Sequence, residues 1–262
     1  MAHLSRRTLI KAAGMAGVSV LPADLSIDLG QSQAAAQNAE VHHLPDGAPR
    51  SVSQPQPQPT TYLFFNSEEA SFVEAAVARL IPADDQWPGA LEAGVPNFID
   101  KQLNGAWGSG ERLYRSGPWQ RGTPSQGYQL PLTPAELFRT AIAAVDAELK
   151  ATGVPFAKMS AEQQDAYLHS LESGGRDLSG VPSGVFFTEL WECTLEGFFG
   201  DPVYGGNRDM AAWLMIGFPG AYASYYELVD RHGIKVEHPP TSLAEDVHGH
   251  VYVNPDLPAR VP

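Results

Sequence analysis

Apolar positions recur at three- and four-residue spacing through the middle of the chain, the period of one buried helix face. From Ser67, residues Phe72, Val73, Ala76, Val77, Leu80 and Ile81 share one side of a predicted helix. Ser67 is its expected N-cap, Glu68 and Glu69 favour the positive end of the helix dipole, and Pro82 ends it. Val95-Pro96 opens a second helix, with proline at the first helical position and Phe98, Ile99 and Leu103 on the apolar face. Thr133-Pro134-Ala135-Glu136 reads as a capping box, continued by Leu137, Phe138, Ala141, Ile142, Val145 and Leu149 and closed by Gly153. A second capping box, Ser160 to Gln163, starts a helix through Tyr167, Leu168 and Leu171 that Gly174-Gly175 stops.

The pattern changes at Ser183. Phe186, Phe187, Leu190, Trp191, Leu195, Phe198 and Phe199 leave little polar surface, which predicts a helix buried at the centre of the fold. It runs into Gly197-Phe-Phe-Gly-Asp-Pro-Val-Tyr-Gly-Gly-Asn207, then Arg208 to Gly220. Gly200 stands where a helix terminator adopts positive φ, Asp201-Pro202 and Gly205-Gly206-Asn207 are turn chemistry, and Met210 to Ile216 resumes as a helix. The expected form is helix, structured elbow, helix. A last helix is predicted from Tyr222 to Arg231. Beyond Gly233 the prolines Pro239, Pro240, Pro255, Pro258 and Pro262 exclude helix, and Val251-Tyr252-Val253 reads as one short strand.

Between these elements, residues 104–132 form a long irregular excursion carrying Trp107, Tyr114, Trp119 and Tyr128, with one helical turn expected near Glu111 to Tyr114. Residues 37–60, with their alternating Gln54 to Pro59, read as an extended linker. The predicted class is therefore mainly α: a single helical domain of six or seven helices over residues 61–233, with long irregular loops and an extended tail over 234–262.

Residues 1–36 stand apart. Ser5-Arg6-Arg7-Thr-Leu-Ile-Lys11, a weakly apolar segment to Leu21, and Ala34-Ala35-Ala36 occur in the order of a twin-arginine export signal, cleaved after Ala36. Arg6 and Arg7 are the residues the export machinery reads. The expected location is the periplasm. That route carries folded proteins, often with a cofactor in place. Yet the chain holds no Gly-x-Gly-x-x-Gly, no Cys-x-x-Cys-His and no Gly-x-Ser-x-Gly. The signal thus suits a chain that travels with a cofactor-bearing partner.

A formal charge of −13 argues against nucleic acid and anionic membrane surfaces as partners, since both select basic patches. One cysteine, Cys193, permits no intrachain disulfide and reads as a buried thiol. Glu189, Glu192 and Glu196 share one face of the central helix. A ferritin-like metal site would need Glu-x-x-His partners on other helices, and the spacing Glu245 to His248 falls in the tail, so the stripe reads as meeting solvent or a partner's arginines. Asp84 and Asp85, His42-His43, and His248 with His250 each supply too few ligands for a metal ion. The excursion's aromatics with an acid pair such as Glu192 and Asp201 define the alternative, a stand-alone periplasmic sugar-active enzyme or carbohydrate-binding protein.

The string Gly197 to Asn207, with Trp213 and Ile216-Gly-Phe-Pro-Gly220, resembles the small-subunit family of gluconate 2-dehydrogenase, also called subunit 3 or gamma. Leu80-Ile-Pro-Ala-Asp84, Pro88 to Val95 and Phe98-Ile-Asp100 resemble its N-terminal part, so the likeness spans roughly residues 64–230. The resemblance implies a non-catalytic subunit with no cofactor or metal of its own, accompanying an FAD-containing dehydrogenase of the glucose–methanol–choline type. A multihaem cytochrome c subunit often completes such complexes and links them to the membrane. The small subunit would supply export and support maturation of the flavoprotein. Gly200, Asp201, Pro202, Tyr204, Gly205, Gly206, Asn207 and Trp213 would then hold the elbow or dock the partner.

Overall fold

The computed structural model describes residues 41–43, 61–120, 122–123, 126–221, 226–237 and 239–243. The export signal with Arg6 and Arg7, the Gln-Pro repeat, His248, His250 and Val251 to Val253 lie outside the described residues.

Six α-helices form among the described residues: α1 (Ser67–Leu80), α2 (Val95–Asn104), α3 (Pro134–Thr152), α4 (Ala161–Glu172), α5 (Ser183–Phe199) and α6 (Ala211–Ile216). The mainly α class read from the pattern is what the chain adopts. Its helix starts are chemically explicit. Thr133 with Glu136, and Ser160 with Gln163, form the two expected capping boxes. The N-cap of α1 is Asn66 rather than Ser67: its Oδ1 accepts from Glu68 N and Glu69 N, while the Glu69 side chain returns to Asn66 N. Asparagine there satisfies two of the orphan amides at once, which leaves Ser67 as the first helical residue. Gly94, at φ 79°, caps α2, so Val95 takes the first helical position and Pro96 the second. Gly153 closes α3 in the left-handed region at φ 80°.

Helix α5 is the axis of the helical unit, packed on α2 and α4 and also against α1 and α3. Phe186 shows why: it is fully buried, edge-on to Phe138 of α3 with centroids 5.6 Å apart and stacked on Phe72 of α1 at 6.1 Å. Ile99, Leu137, Leu171, Leu190 and Phe198 fill the rest of this core.

Two expected helical pieces differ. Residues 105–113 form a series of hydrogen-bonded turns in place of a helix near Glu111 to Tyr114. Gly105, Gly108 and Gly110 there favour turns over helix. In the span Tyr222 to Arg231, the described part is a 3₁₀ turn at Tyr226–Leu228, while 222–225 lie outside the described residues. A hairpin not anticipated from the pattern joins α4 to α5: β2 (Asp177–Leu178) pairs antiparallel with β3 (Val181–Pro182) across Ser179 and Gly180, both at positive φ.

A second, small unit pairs β1 (Val41–His43), which falls inside the stretch read as linker, with β4 (Lys235–Glu237) in parallel register, Val41 opposite Lys235.

Candidate functional site: the glycine elbow

The elbow is built where α5 ends. Gly200 is extended, with φ −68° and ψ 171°, not left-handed as expected. Its glycine has a different cause: a Cβ would lie 2.6 Å from Glu196 O, the carbonyl that accepts Gly200 N. Asp201 then turns the chain. Its Oδ1 accepts from Val203 N at 2.9 Å and from the Ser242 hydroxyl at 2.6 Å, and its Oδ2 accepts from Leu243 N at 2.8 Å. One carboxylate thus starts the 3₁₀ turn Pro202–Tyr204 and ties it to the returning segment 239–243. The left-handed turn-maker is Gly205, at φ 107°, and its carbonyl accepts from the Asn97 amide of α2.

Asn207 is wholly buried and left-handed, with φ 45°. Its Nδ2 donates to Gly200 O at 2.9 Å and its Oδ1 accepts from Ala212 N at 3.0 Å, so it joins the end of α5 to the start of α6. Asparagine suits this place because a short amide bonds locally in a backbone region that most residues avoid. Asp209 and Met210 also hold positive φ, which delays the α-helix from Met210 to Ala211 and makes 208–210 a 3₁₀ turn. Arg208 N donates to Ala93 O, and the buried Trp213 indole donates to Phe199 O at 2.6 Å. The elbow therefore joins α2, α5 and α6 through side chain–backbone hydrogen bonds. What they leave exposed is a rim: Tyr204, Val203, Ile216 and Phe218, the last edge-on to Trp213.

Asp201 and Glu192, the acid pair of the alternative reading, have different surroundings. Both oxygens of Asp201 are taken by the three donors above, whereas Glu192 stands exposed on α5. The aromatics Trp107, Tyr114 and Trp119 are exposed, while Tyr128 is half-buried and packs against the core. Asp84 Oδ1 accepts from Gln86 N and Trp87 N, a turn cap. A shallow cleft of about 550 Å³ opens between α3 and α4, lined by Glu148, Tyr167, Ser170 and Arg176 among others. Arg176 pairs there with Glu148, the Tyr167 hydroxyl and Ser170 Oγ. Among the described residues no three His, Cys, Asp or Glu side chains gather as a metal ligand set.

The α5 stripe carries the clearest electrostatic tension. Burial, then the neighbouring charges of Glu192 and Glu196, push the Glu189 carboxyl up from 4.5 to about 7. Burial, with those same carboxylates, raises the Cys193 thiol. A raised carboxyl means the folded chain holds a proton that the unfolded chain has already released. The contribution of Glu189 to stability is thus fullest below about 4.5, falls as pH rises towards about 7, and is level above. Glu189→Gln removes this penalty. It is expected to stabilise the chain at pH 8 by about 1–2 kcal/mol, after discounting for partial exposure, and by little at pH 4. Urea unfolding of both proteins at the two pH values checks it; equal gains at both would show that charge is not the cause.

Several residues that hold this region carried no motif. Asp100 of α2 is 1% exposed and accepts three backbone amides, Leu63, Phe64 and Phe65, at 2.8–2.9 Å. Its signal was an acid on the apolar helix face, four residues after Pro96 and three before Leu103. Arg139 reinforces the same segment, donating to Phe64 O and Glu69 with its guanidinium 4.1 Å from the Phe64 ring.

Compared with known proteins, residues 67–220 match the family model described as Gluconate 2-dehydrogenase subunit 3. No curated protein and no solved structure matches the chain.

Proposed function

This chain belongs to the gluconate 2-dehydrogenase subunit 3 family, and from that membership we propose that it is the non-catalytic small subunit of an FAD-dependent sugar or polyol dehydrogenase. The observation that carries the reading is the match itself, which runs from α1 through the whole elbow to Gly220. In this reading FAD sits in a large subunit of the glucose–methanol–choline type, and haem c in a third, cytochrome subunit. Arg6 and Arg7 address the pair to the twin-arginine machinery, the small subunit supports maturation of the flavoprotein, and the complex works in the periplasm, held at the membrane through its partner subunits. The elbow supports a docking role because its polar groups are spent on internal bonds while Tyr204 keeps half its surface exposed, at 52%.

Capture of the tagged chain from its native periplasmic and membrane fractions tests the reading. A co-purifying larger polypeptide with flavin absorbance, bleached by a sugar or polyol, is the expected result. A colourless chain recovered alone under gentle conditions would overturn it. The elbow's part is tested by Tyr204→Ala. Because the side chain is exposed, stability should change by no more than about 0.5 kcal/mol. Affinity for the flavoprotein should fall at least about tenfold, the scale of an interface tyrosine. Unchanged recovery would place the contact away from this rim.

A further inference from the structure

The irregular excursion after α2 has a property the family role does not use. Residues 111–120 are exposed without interruption. They include Leu113 at 42%, Tyr114 at 79% and Trp119 at 36%, and Trp107 at 37% stands on the turn before them. Large apolar side chains this exposed are informative when they sit together. Leu113 and Tyr114 are flanked by Arg112 and Arg115, both exposed, and the nearest carboxylate to Arg115 is Glu136 at 4.0 Å, on the helix that follows. Over residues 111–120 Glu111 is the single acid, against the two cations Arg112 and Arg115, in a chain whose net charge is −13. The acidic total that argued against anionic surfaces therefore conceals a local reversal of sign.

The start of this ridge is held in place. Gly108 N donates to Gln102 O, and Gly108 O accepts from Ala135 N, so the turn is tied to the end of α2 and the start of α3. Gly108 lies so close to α2 that a Cβ would overlap Leu103 O. Gly110 N and Leu113 N close the next turns on Trp107 O and Gly110 O. Little ordering is needed for Trp107 and Leu113 to meet a surface.

We propose that this ridge is a peripheral membrane anchor: Leu113, Tyr114, Trp107 and Trp119 enter the headgroup boundary of a bilayer while Arg112 and Arg115 meet anionic lipid phosphates. Tryptophan and tyrosine favour that boundary because each joins an apolar ring to a polar group, and arginine seats its stem in the apolar layer with its charge at the phosphates. The order Arg-Leu-Tyr-Arg places both chemistries at successive positions on one exposed stretch. A layered lipid surface accepts that without a shaped pocket, whereas a protein partner would need one for each side chain. No helix among the described residues is long and apolar enough to cross a membrane, so this contact is peripheral. It is independent of the subunit role proposed above.

The test is co-sedimentation of the purified full chain with phosphatidylcholine vesicles and with vesicles containing phosphatidylglycerol, at low and high salt. Binding to the anionic vesicles, weakened by salt, is expected. Arg112→Gln with Arg115→Gln should lower it about 25-fold, taking about fivefold per arginine near an anionic surface. Leu113→Ser with Tyr114→Ser should lower it at least about tenfold through lost apolar burial. Both pairs should keep the parent circular dichroism and unfolding midpoint, and Arg6 and Arg7 are the same in every protein compared. Equal binding to both vesicle types, no binding to either, or binding that neither pair alters would overturn the proposal. Absence of vesicle binding together with loss of a co-purifying polypeptide in the arginine pair would overturn it in favour of an acidic protein partner.

Discussion

Replacement of Asp100 by alanine should cost about 3–4 kcal/mol, lowering the unfolding midpoint by about 10 °C for a domain of this size. The carboxylate is nearly inaccessible, and its two oxygens are the acceptors for Leu63 N, Phe64 N and Phe65 N. Those three amides belong to the segment that delivers the chain into α1. Alanine leaves Phe65 N in a buried place without this acceptor, and hydrogen bonds to a charged group are worth more than neutral ones. The segment has a second fastening, Arg139 to Phe64 O, so the chain should still fold with its N-terminal edge loosened. The change Asp100→Asn is the informative comparison. An amide oxygen can keep the pair of bonds to Phe64 N and Phe65 N, but its NH₂ group then faces Leu63 N, donor against donor. The asparagine variant should therefore lose roughly half as much, about 2 kcal/mol. Urea unfolding of the three proteins, with hydrogen exchange at Phe64 and Phe65, checks the order. An alanine variant within about 1 kcal/mol of the parent would show that the segment is held by its aromatic packing alone.

Asp100 also shows where the sequence was legible. Helices α3 and α4 could be read at both ends because their capping boxes and terminating glycines are local chemistry, complete within a few residues. The central helix was legible because a stretch apolar on nearly every side has no stable place except the core. Two kinds of choice were not legible: those between neighbours that both suit one role, and those settled by distant groups. Asn66 and Ser67 both suit an N-cap, and the reach of the Glu69 side chain back to Asn66 N decides between them. Gly200 suited a left-handed terminator, yet it is extended, where the Glu196 carbonyl leaves no room for a Cβ, and the positive φ falls at Gly205. Asp201 reads as turn chemistry and, in the alternative, as half of an acid pair. Ser242 and Leu243, some forty residues on, supply the donors that occupy it. The elbow was therefore visible as a motif, while its reason, the joining of α2, α5 and α6, rests on contacts no local pattern encodes.

The largest single effect should come from Gly206→Ala. At Gly206 the chain passes so near α5 that a Cβ would overlap the carbonyl oxygen of Gly197 and lie 2.8 Å from its carbonyl carbon. Both obstacles are backbone, so no side-chain rotation relieves them. Nor can α5 retreat, because a Cβ on Gly197 would itself meet the Phe98 ring at 2.8 Å, a sign that α2 already closes the far side. The added methyl must force the elbow off α5. That displaces Asn207 from Gly200 O and Ala212 N, and draws Trp213 from Phe199 O. Overpacking alone costs about 1–3 kcal/mol, and the three hydrogen bonds lost with it bring the expected total to about 4 kcal/mol or more. Gly175→Ala is the control: nothing lies within 4 Å of its added Cβ, and its φ falls outside the left-handed region. It should match the parent within about 0.5 kcal/mol. Expression yield, circular dichroism and denaturant midpoints of the pair read the difference. If Gly206→Ala folds with the parent's stability, the close crossing of the elbow over α5 is wrong, and with it the view that these glycines are there to let two backbones touch.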